Sequence, residues 1–355
     1  SNLPLIEFVQ DYLGQLGVES TLTYDQSRRK ANLFATIGPS DQPGVILSGH
    51  TDVVPVEDES KWRFPPFSAT IADNRIFGRG ASDCKGLLTA QLMAMRLLKR
   101  NGIALNDSLI LASGADEEHG GRYGFGWLAE NHPEKLAAPF AVNEGGGAPI
   151  QAAGALTYVL GVGEKGRLQI EIDVKGVSSH ASVPWQGTNA MYRLSRALSN
   201  IEQFEPELDT STGLFDHLST FAIEHKPSPA NIEEIIADVE PDNPRFASLL
   251  KALSRMTLTP TMIRGGIKSN SVPESIQLTC DVRTLPHQDE QYVREQVKAV
   301  LEGIPGIDFE IDYMAQPNSS PFGTPLSQSI QSVTAQALGR DDIQWVPAIS
   351  NGFTD

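Results

Sequence analysis

The sequence predicts an α/β fold with a mixed, largely parallel sheet and an additional, inserted α+β domain. Short apolar runs at residues 45–47, 109–111 and 140–142 alternate with helical patterns, as is typical of buried parallel strands. Residues 167–175 and 275–283 instead alternate polar with apolar side chains, as is typical of strands with one exposed face. This change of pattern indicates that a second domain interrupts the first.

In the first domain, helices and strands alternate along the chain. A helical pattern of apolar residues stops at Gly17, and a stronger one ends at the basic pair Lys99 and Arg100, which suits a helix C-terminus. The patterns predict helices over 5–16, 86–100 and 123–131, and strands over 32–37, 44–48, 105–112 and 140–143.

The inserted domain is predicted to cover residues 163–314, so residues 1–162 and 315–355 form the first domain. Its patterns predict strands over 167–175, 275–283 and 308–313, and helices over 189–200 and 289–302. A proline-containing extension over 202–257 has no assignable pattern. The apolar pattern of residues 325–338 predicts a buried helix that belongs to the first domain again. The chain from residue 345 is predicted to be a strand that enters a loop.

Composition narrows the class of protein. The net charge is −16 and the isoelectric point about 4.9, which argues against nucleic acid or an anionic membrane as partner. The sequence has no run of 18 or more apolar residues, so it predicts no helix that spans a membrane. The first residues do not resemble a signal peptide. Two cysteines, Cys84 and Cys280, provide no disulfide framework, which favours a reducing cytoplasm.

Acids and a histidine follow the buried strands. Open α/β sheets bind ligands at the carboxyl ends of their strands, so His50, Glu118 and Glu144 are expected to meet there, with Asp83 from the start of the second helix. One imidazole with several carboxylates suits a pair of zinc-like divalent metals. Taken singly, each residue has an ordinary alternative: a structural histidine, a helix N-cap for Asp83, a solvated charge pair, a turn residue.

Two further acids have expected roles beside the metal ligands. Asp52 lies two residues after His50 and can hold the far ring nitrogen of a metal-bound imidazole. Adjacent glutamates point in different directions, so Glu118 can be a ligand while Glu117 acts as general base. His119 and His132 lack a periodic context and are expected at the surface.

The inserted domain offers candidate substrate-binding groups. His180 follows an exposed strand, Asn270 lies in a glycine-containing segment, and Arg283 lies in an alternating strand. An arginine suits a substrate carboxylate, and a histidine or asparagine can donate to an oxyanion. Each could equally be an ordinary polar surface residue.

Together these motifs resemble the M20 metallopeptidases, which include acetylornithine deacetylase, succinyl-diaminopimelate desuccinylase, aminoacylase-1, carboxypeptidase G2 and carnosinase-type dipeptidases. The resemblance extends from about residue 5 to 355 and is carried, in order, by His50-Thr51-Asp52-Val53-Val54-Pro55, Gly78-Arg79-Gly80-Ala81-Ser82-Asp83-Cys84-Lys85-Gly86, Asp116-Glu117-Glu118, Asn143-Glu144-Gly145 and Ser179-His180-Ala181-Ser182.

The resemblance implies a zinc-hydrolase-type catalytic domain with two divalent metals, zinc or alternatively cobalt. His50 and Glu144 would bind one metal, Asp83 would bridge both and Glu118 would bind the second. Glu117 would be the general base, and Asp52 would orient His50. The family's last ligand is a histidine near the C-terminus. No histidine follows His287, which does not match, so that ligand is expected beyond Asp355.

The resemblance also implies a cis peptide after Asp83 and a lid domain that forms a homodimer. In that lid His180 would polarise the scissile carbonyl, and Asn270 and Arg283 would bind the substrate. The expected activity is amide hydrolysis of an N-acyl amino acid or short peptide. Deacylase, dipeptidase and carboxypeptidase remain open, as does a non-catalytic binding or scaffold homologue, which the base Glu117 argues against.

Overall fold

The computed structural model describes residues 1–147, 149–152, 154–352 and 354. Its chain forms two compact units, residues 1–145 with Thr354, and residues 146–352. The predicted boundaries of a catalytic and an inserted domain stay a prediction. No helix among the described residues is long and apolar enough to cross a bilayer.

The first unit contains a mixed sheet and the helices that cover it. Its elements are α1 Leu3–Gln15, β1 Ser20–Tyr24, β2 Ala31–Ile37, β3 Pro43–His50, β4 Thr70–Ala72, β5 Arg75–Phe77, α2 Lys85–Arg100, β6 Ser108–Gly114, α3 Phe125–Asn131 and β7 Phe140–Val142. The sheet has the order β1-β2-β6-β3-β7. β3 runs parallel to β6 and β7, whereas β2 is antiparallel to β6.

The core of this unit lies where the amphipathic helices α1 and α2 cover the sheet. Ile6 and Leu13 of α1 and Met95 of α2 are fully buried against Leu33 and Leu111 of the central strands. Burial of each such side chain contributes on the order of 1.5–3 kcal/mol. The predicted helices and strands of this region are present, with ends shifted by a few residues. The prediction that residues 140–142 are buried was wrong, because β7 lies at the edge of the sheet, where Ala141 is exposed and Phe140 and Val142 are half-buried.

The second unit contains two further sheets. Its elements are β8 Pro149–Ala152, β9 Ala155–Glu164, β10 Gly166–Lys175, α4 Ala190–Glu202, α5 Ile232–Val239, α6 Pro244–Leu253, β11 Thr257–Gly265, β12 Ser275–Thr284, α7 Glu290–Leu301, β13 Ile307–Ala315, β14 Asn318–Ser319, α8 Pro325–Leu338 and β15 Gln344–Ser350. The alternating strands form the antiparallel sheet β11-β12-β10-β13, and its buried face packs on α4 and α7. The other sheet has the order β14-β9-β15, with β8 beside β9.

The helix over Pro325–Leu338 is present, but the prediction that it is buried was wrong. Val333 is 62% exposed and Leu338 46%, and Ser327 is its one buried residue among those described. Serine, threonine and glutamine interrupt its apolar positions, so it lacks the continuous apolar stripe that drives a helix into a core.

A fully buried lysine lies between β9 and β10. Lys165 Nζ donates to the carbonyls of Ala252 and Arg255 at 2.6 and 2.7 Å, so it satisfies acceptors at the C-terminal end of α6. Burial, together with the charges of Arg283 and Arg255, lowers the pKa of Lys165 from 10.5 to about 7. A neutral amine still has two N–H donors, so both hydrogen bonds survive deprotonation.

This lowered pKa predicts a pH-dependent stability. Between about pH 7 and 10.5 the unfolded chain keeps a proton on Lys165 that the folded chain has lost. The free energy of unfolding should therefore rise with pH across that window, by at most about 1.4 kcal/mol per pH unit. Urea denaturation of the wild type and Lys165→Met tests this, with the exposed Lys251→Met as control. Parallel pH curves for the wild type and Lys165→Met would contradict it.

Candidate metal centre

The carboxyl ends of three parallel strands meet at one edge of the first sheet. His50 is the last residue of β3, and its backbone is paired with Gly114 at the end of β6. The loop after β6 carries Glu117 and Glu118, and Glu144 follows β7 on the other side of β3. The register of the sheet thus places the buried His50 between two acidic loops.

The imidazole of His50 has acids on both sides of its ring. Its Nε2 lies 2.9 Å from Oδ1 of Asp83, 3.4 Å from Oε2 of Glu144 and 4.0 Å from Oε2 of Glu117. Its Nδ1 lies 3.1 Å from the carbonyl oxygen of Asp52. Burial alone would lower the pKa of His50, but its hydrogen bonds to Asp52, Cys84 and Glu144 raise that pKa far above 6.5.

Asp83 reaches the site from the start of α2. The helix begins at Lys85 with Cys84 at its N-cap, so Asp83 does not cap the helix and its carboxylate faces His50 instead. The Asp83–Cys84 peptide is cis, as the resemblance implies. Cys84 is buried, and its Sγ accepts a hydrogen bond from the backbone N–H of His50 at 3.1 Å.

Asp52 connects the histidine to the acidic loop. Its carboxylate accepts the backbone N–H of Glu117 at 3.1 Å and that of Glu118 at 3.2 Å, and Oδ1 lies 3.4 Å from Nδ1 of His50. Burial would raise the pKa of Asp52, but the hydrogen bond with His50 and the backbone donors lower it overall. Asp52 therefore stays ionised and orients both neighbours.

Glu117 and Glu118 lie in a short 3-10 turn that begins after Asp116, whose backbone is left-handed with φ 73°. The Val54 N–H donates to Oε1 of Glu118 at 3.3 Å. Burial, followed by the charge of Asp83, raises the pKa of Glu118 despite the opposing effect of His50. Carboxylates held this close repel one another, which favours a cation among them.

The donor set fits divalent metals. One ligand atom each from His50, Asp83 and Glu118 lie within 4.8 Å of one another, and the same holds for His50, Cys84 and Glu144. Imidazole nitrogen with carboxylate oxygens is the ligand chemistry of zinc in hydrolases. Asp52, Asp116 and His119 form a third such group, but Asp116 already makes an ion pair with Lys30.

The remaining predicted residues lie in the second unit. His180 is exposed, and Asn270 is adjacent to it because the Ala181 N–H donates to the Asn270 carbonyl at 3.0 Å. Arg283 lies in β12, where its Nε donates to Oδ1 of Asp281 at 2.7 Å. The structure thus places His180 beside Asn270 and holds the Arg283 guanidinium on a carboxylate.

Sequence reasoning missed two side chains that support the site. Cys84 was considered for disulfide bonding alone, although it hydrogen-bonds to the backbone of His50. Asn32 holds the loop that carries Glu117 and Glu118. A polar residue inside the apolar run 31–37 was the available signal for Asn32, since a buried amide needs partners.

Comparison with known proteins gives concordant matches. Residues 46–355 match the model of peptidase family M20/M25/M40. A probable succinyl-diaminopimelate desuccinylase of Staphylococcus epidermidis is 27% identical over 351 residues, which cover 96% of this chain and 78% of that protein.

Two solved structures share the fold. The M20 family metallo-carboxypeptidase Sso-CP2 of Sulfolobus solfataricus superposes with a TM-score of 0.72 at 22% identity, covering 98% of this chain and 81% of the other. The YXEP protein of Bacillus subtilis, described as a dinuclear metal binding peptidase, gives a TM-score of 0.55 at 15% identity, covering 98% and 76%.

Proposed function

Since the chain belongs to peptidase family M20/M25/M40, we propose that it hydrolyses an amide bond of an N-acyl amino acid or short peptide with a free carboxylate. The observation that carries this proposal is the convergence on one imidazole, at the strand ends, of the carboxylates of Asp83, Glu117 and Glu144. The similarity to a probable desuccinylase supports an N-acyl substrate, and the fold shared with a metallo-carboxypeptidase supports a peptide.

Two divalent cations, zinc or alternatively cobalt, are the proposed cofactors. His50 and Glu144 would hold one, Glu118 the other, and Asp83 both. The grouping of ligand atoms of His50, Asp83 and Glu118, and the position of Glu144 beside His50, support these residues as the donors. The description of the Bacillus subtilis protein as dinuclear is consistent with two ions. The chemistry supplied by bound zinc is the acidification of a water molecule and the polarisation of a carbonyl oxygen.

Proton transfer is assigned to Glu117. Its side chain is 12% exposed and lies beside His50, while its backbone N–H is fixed by Asp52. The carboxylate of Glu117 would accept a proton from the attacking water and deliver it to the leaving amine nitrogen, so no net proton is gained by the enzyme. Asp52 would keep the proton of His50 on Nδ1, so that the Nε2 lone pair is available to a bound cation.

Substrate recognition is assigned to the second unit. The Ser182 N–H donates to Nδ1 of His180 at 3.2 Å, so the neutral ring carries its proton on Nε2 and can donate it to a carbonyl oxygen. Asn270 offers a neighbouring amide. Arg283, fixed by Asp281, would bind the substrate carboxylate.

A homodimer and a cytoplasmic location are further parts of the proposal. β11 is an edge strand of its sheet, and Met262 and Ile263 on it are 46% and 56% exposed. Such an edge can pair with the same strand of a second copy, which light scattering would test. The two cysteines, Cys84 and Cys280, are free and buried, which suits a reducing compartment.

One experiment tests the activity. The purified protein, together with any residues that follow Asp355, is assayed for bound metal and for hydrolysis of N-succinyl, N-acetyl and long-chain N-acyl amino acids and of dipeptides, each with a free and an amidated carboxyl group. We expect hydrolysis only of free-carboxylate substrates, lost on chelation and regained with zinc. The acyl series separates deacylase from exopeptidase. Protein that retains metal but cleaves nothing would identify a non-catalytic binding homologue and refute the proposal.

A further inference from the structure

We propose that Asn32 is a positioning residue that holds Glu117 and Glu118 at the metal centre, assisted by Lys30. This inference rests on the proposed function for its effect on the reaction, but its structural part can be tested separately. Asn32 lies in β2, remote in sequence from the acidic loop, and its side chain has no exposed surface.

The amide of Asn32 joins both ends of one loop. Its Oδ1 accepts the backbone N–H of Ala115 at 2.9 Å, and its Nδ2 donates to the carbonyl of Tyr123 at 2.9 Å. Residues 115–124 form the connection from β6 to α3 and carry the 3-10 turn with Glu117 and Glu118. A single side chain therefore closes the base of the loop on which both glutamates lie.

The backbone ladder explains why a side chain is needed here. The last registered pair between β2 and β6 is Leu33 with Ser113, and the chain leaves the ladder after Gly114 because Asp116 turns into the left-handed region. The Ala115 N–H and Tyr123 carbonyl thus lie past the end of the ladder. Asn32 supplies the acceptor and the donor that another pair of strand residues would have supplied.

Lys30 acts on the same loop from two residues earlier. Its Nζ makes an ion pair with Oδ1 of Asp116, whose side chain is 4% exposed, and lies 4.8 Å from the centre of the Tyr123 ring. Residues two apart on an extended chain face the same side, so Lys30 and Asn32 both contact this loop.

The contacts of Asn32 and Lys30 act together with a second set of contacts, which Asp52 makes to the two glutamates. Asp52 accepts the N–H groups of Glu117 and Glu118 and also contacts His50. With Asn32 at the ends of the loop and Asp52 at its centre, the backbone of the turn has little freedom. A displacement of about 1 Å in a reacting group can cost about 10²-fold in rate. Loss of Asn32 should therefore affect kcat more than KM.

The test compares Asn32→Leu with Ile37→Ala. Leucine keeps the branching of the Asn32 side chain, although it is larger, and it has neither donor nor acceptor. Ile37 is buried at the other end of β2, in the core cluster that contains Leu33, so its truncation destabilises the fold without removing a contact of Asn32 to the loop. Hydrogen exchange of the peptide 115–124 is followed in metal-free protein under conditions of equal global stability, and kcat and KM are measured on the zinc-loaded enzyme.

We expect hydrogen exchange in residues 115–124 to be faster than in the wild type for Asn32→Leu but not for Ile37→Ala. For Asn32→Leu, kcat should be lower by about 10–10²-fold and KM nearly unchanged. Lys30→Met, at a partly exposed position, should show the same pattern more weakly and serves if Asn32→Leu does not fold. Equal exchange in Asn32→Leu and Ile37→Ala would overturn the positioning role, whatever the activity. Increased exchange in a protein that cleaves no amide would support the positioning role of Asn32 and reject the proposed function instead.

Discussion

Glu117→Gln is expected to abolish turnover while the protein keeps its metal. Glutamine has the same shape but cannot accept the proton of the attacking water, and the loss of a general base typically lowers kcat by about 10²–10⁴-fold. The backbone of residue 117 is held by Asp52 through its N–H, which the substitution leaves in place. The turn should therefore keep its position, and the loss can be assigned to proton transfer.

The neighbouring positions provide the controls. Glu118→Gln should lose metal and activity together, because Glu118 is the proposed ligand, whereas His119→Gln, at a side chain 69% exposed, should change neither. Metal content by mass spectrometry and steady-state kinetics on the preferred substrate distinguish the three variants. If Glu117→Gln kept activity within about tenfold of the wild type, short of the loss a base requires, the assignment of the base would be wrong.

The ends of the parallel strands could be predicted from the sequence because their pattern is local. The runs that become β3, β6 and β7 are apolar on both faces, and an acid or histidine follows each of them. Parallel pairing places such ends at one edge without further information. The predicted convergence of His50 with Glu144 therefore needs only the strand assignments and the order of the sheet.

The extension over 202–257 could not be predicted in this way. It contains α5 and α6, each short, and its apolar residues have partners far along the chain. Ile236 and Leu250 are buried in one cluster with Val346 of β15. Helices of ten or fewer residues have little stability of their own, so this packing, which no local pattern shows, determines where they form.

Asn32 and Lys165 illustrate the same limit for polar residues. The structural role of each could not be predicted, because a buried amide or ammonium is recognisable only by its partners, and these lie more than 80 residues away. The sequence can indicate that such a residue stands in an apolar context, as Asn32 does. The identity of its partners depends on the tertiary register, which positions the loop at Ala115 beside β2.

His180→Ala is the second substitution with a large expected effect, and it should lower kcat more than it raises KM. The ring is fixed by Ser182, whose hydroxyl lies 2.7 Å from Nδ1 and whose N–H donates to the same atom, so Nε2 carries the proton. A donor of this kind binds more strongly to a developing oxyanion than to a neutral carbonyl. Removal of one oxyanion donor typically costs about 10²–10³-fold in kcat.

Two comparisons make this result specific to the oxyanion. Ser182→Ala removes the hydroxyl but keeps the backbone donor that sets the tautomer, so its loss of kcat should be much smaller. Arg283→Ala should instead raise KM for carboxylate substrates with little change in kcat, because a substrate carboxylate keeps its charge through the reaction. If His180→Ala raised KM alone, as expected for Arg283→Ala, His180 would bind the ground state and the oxyanion role would have to be abandoned.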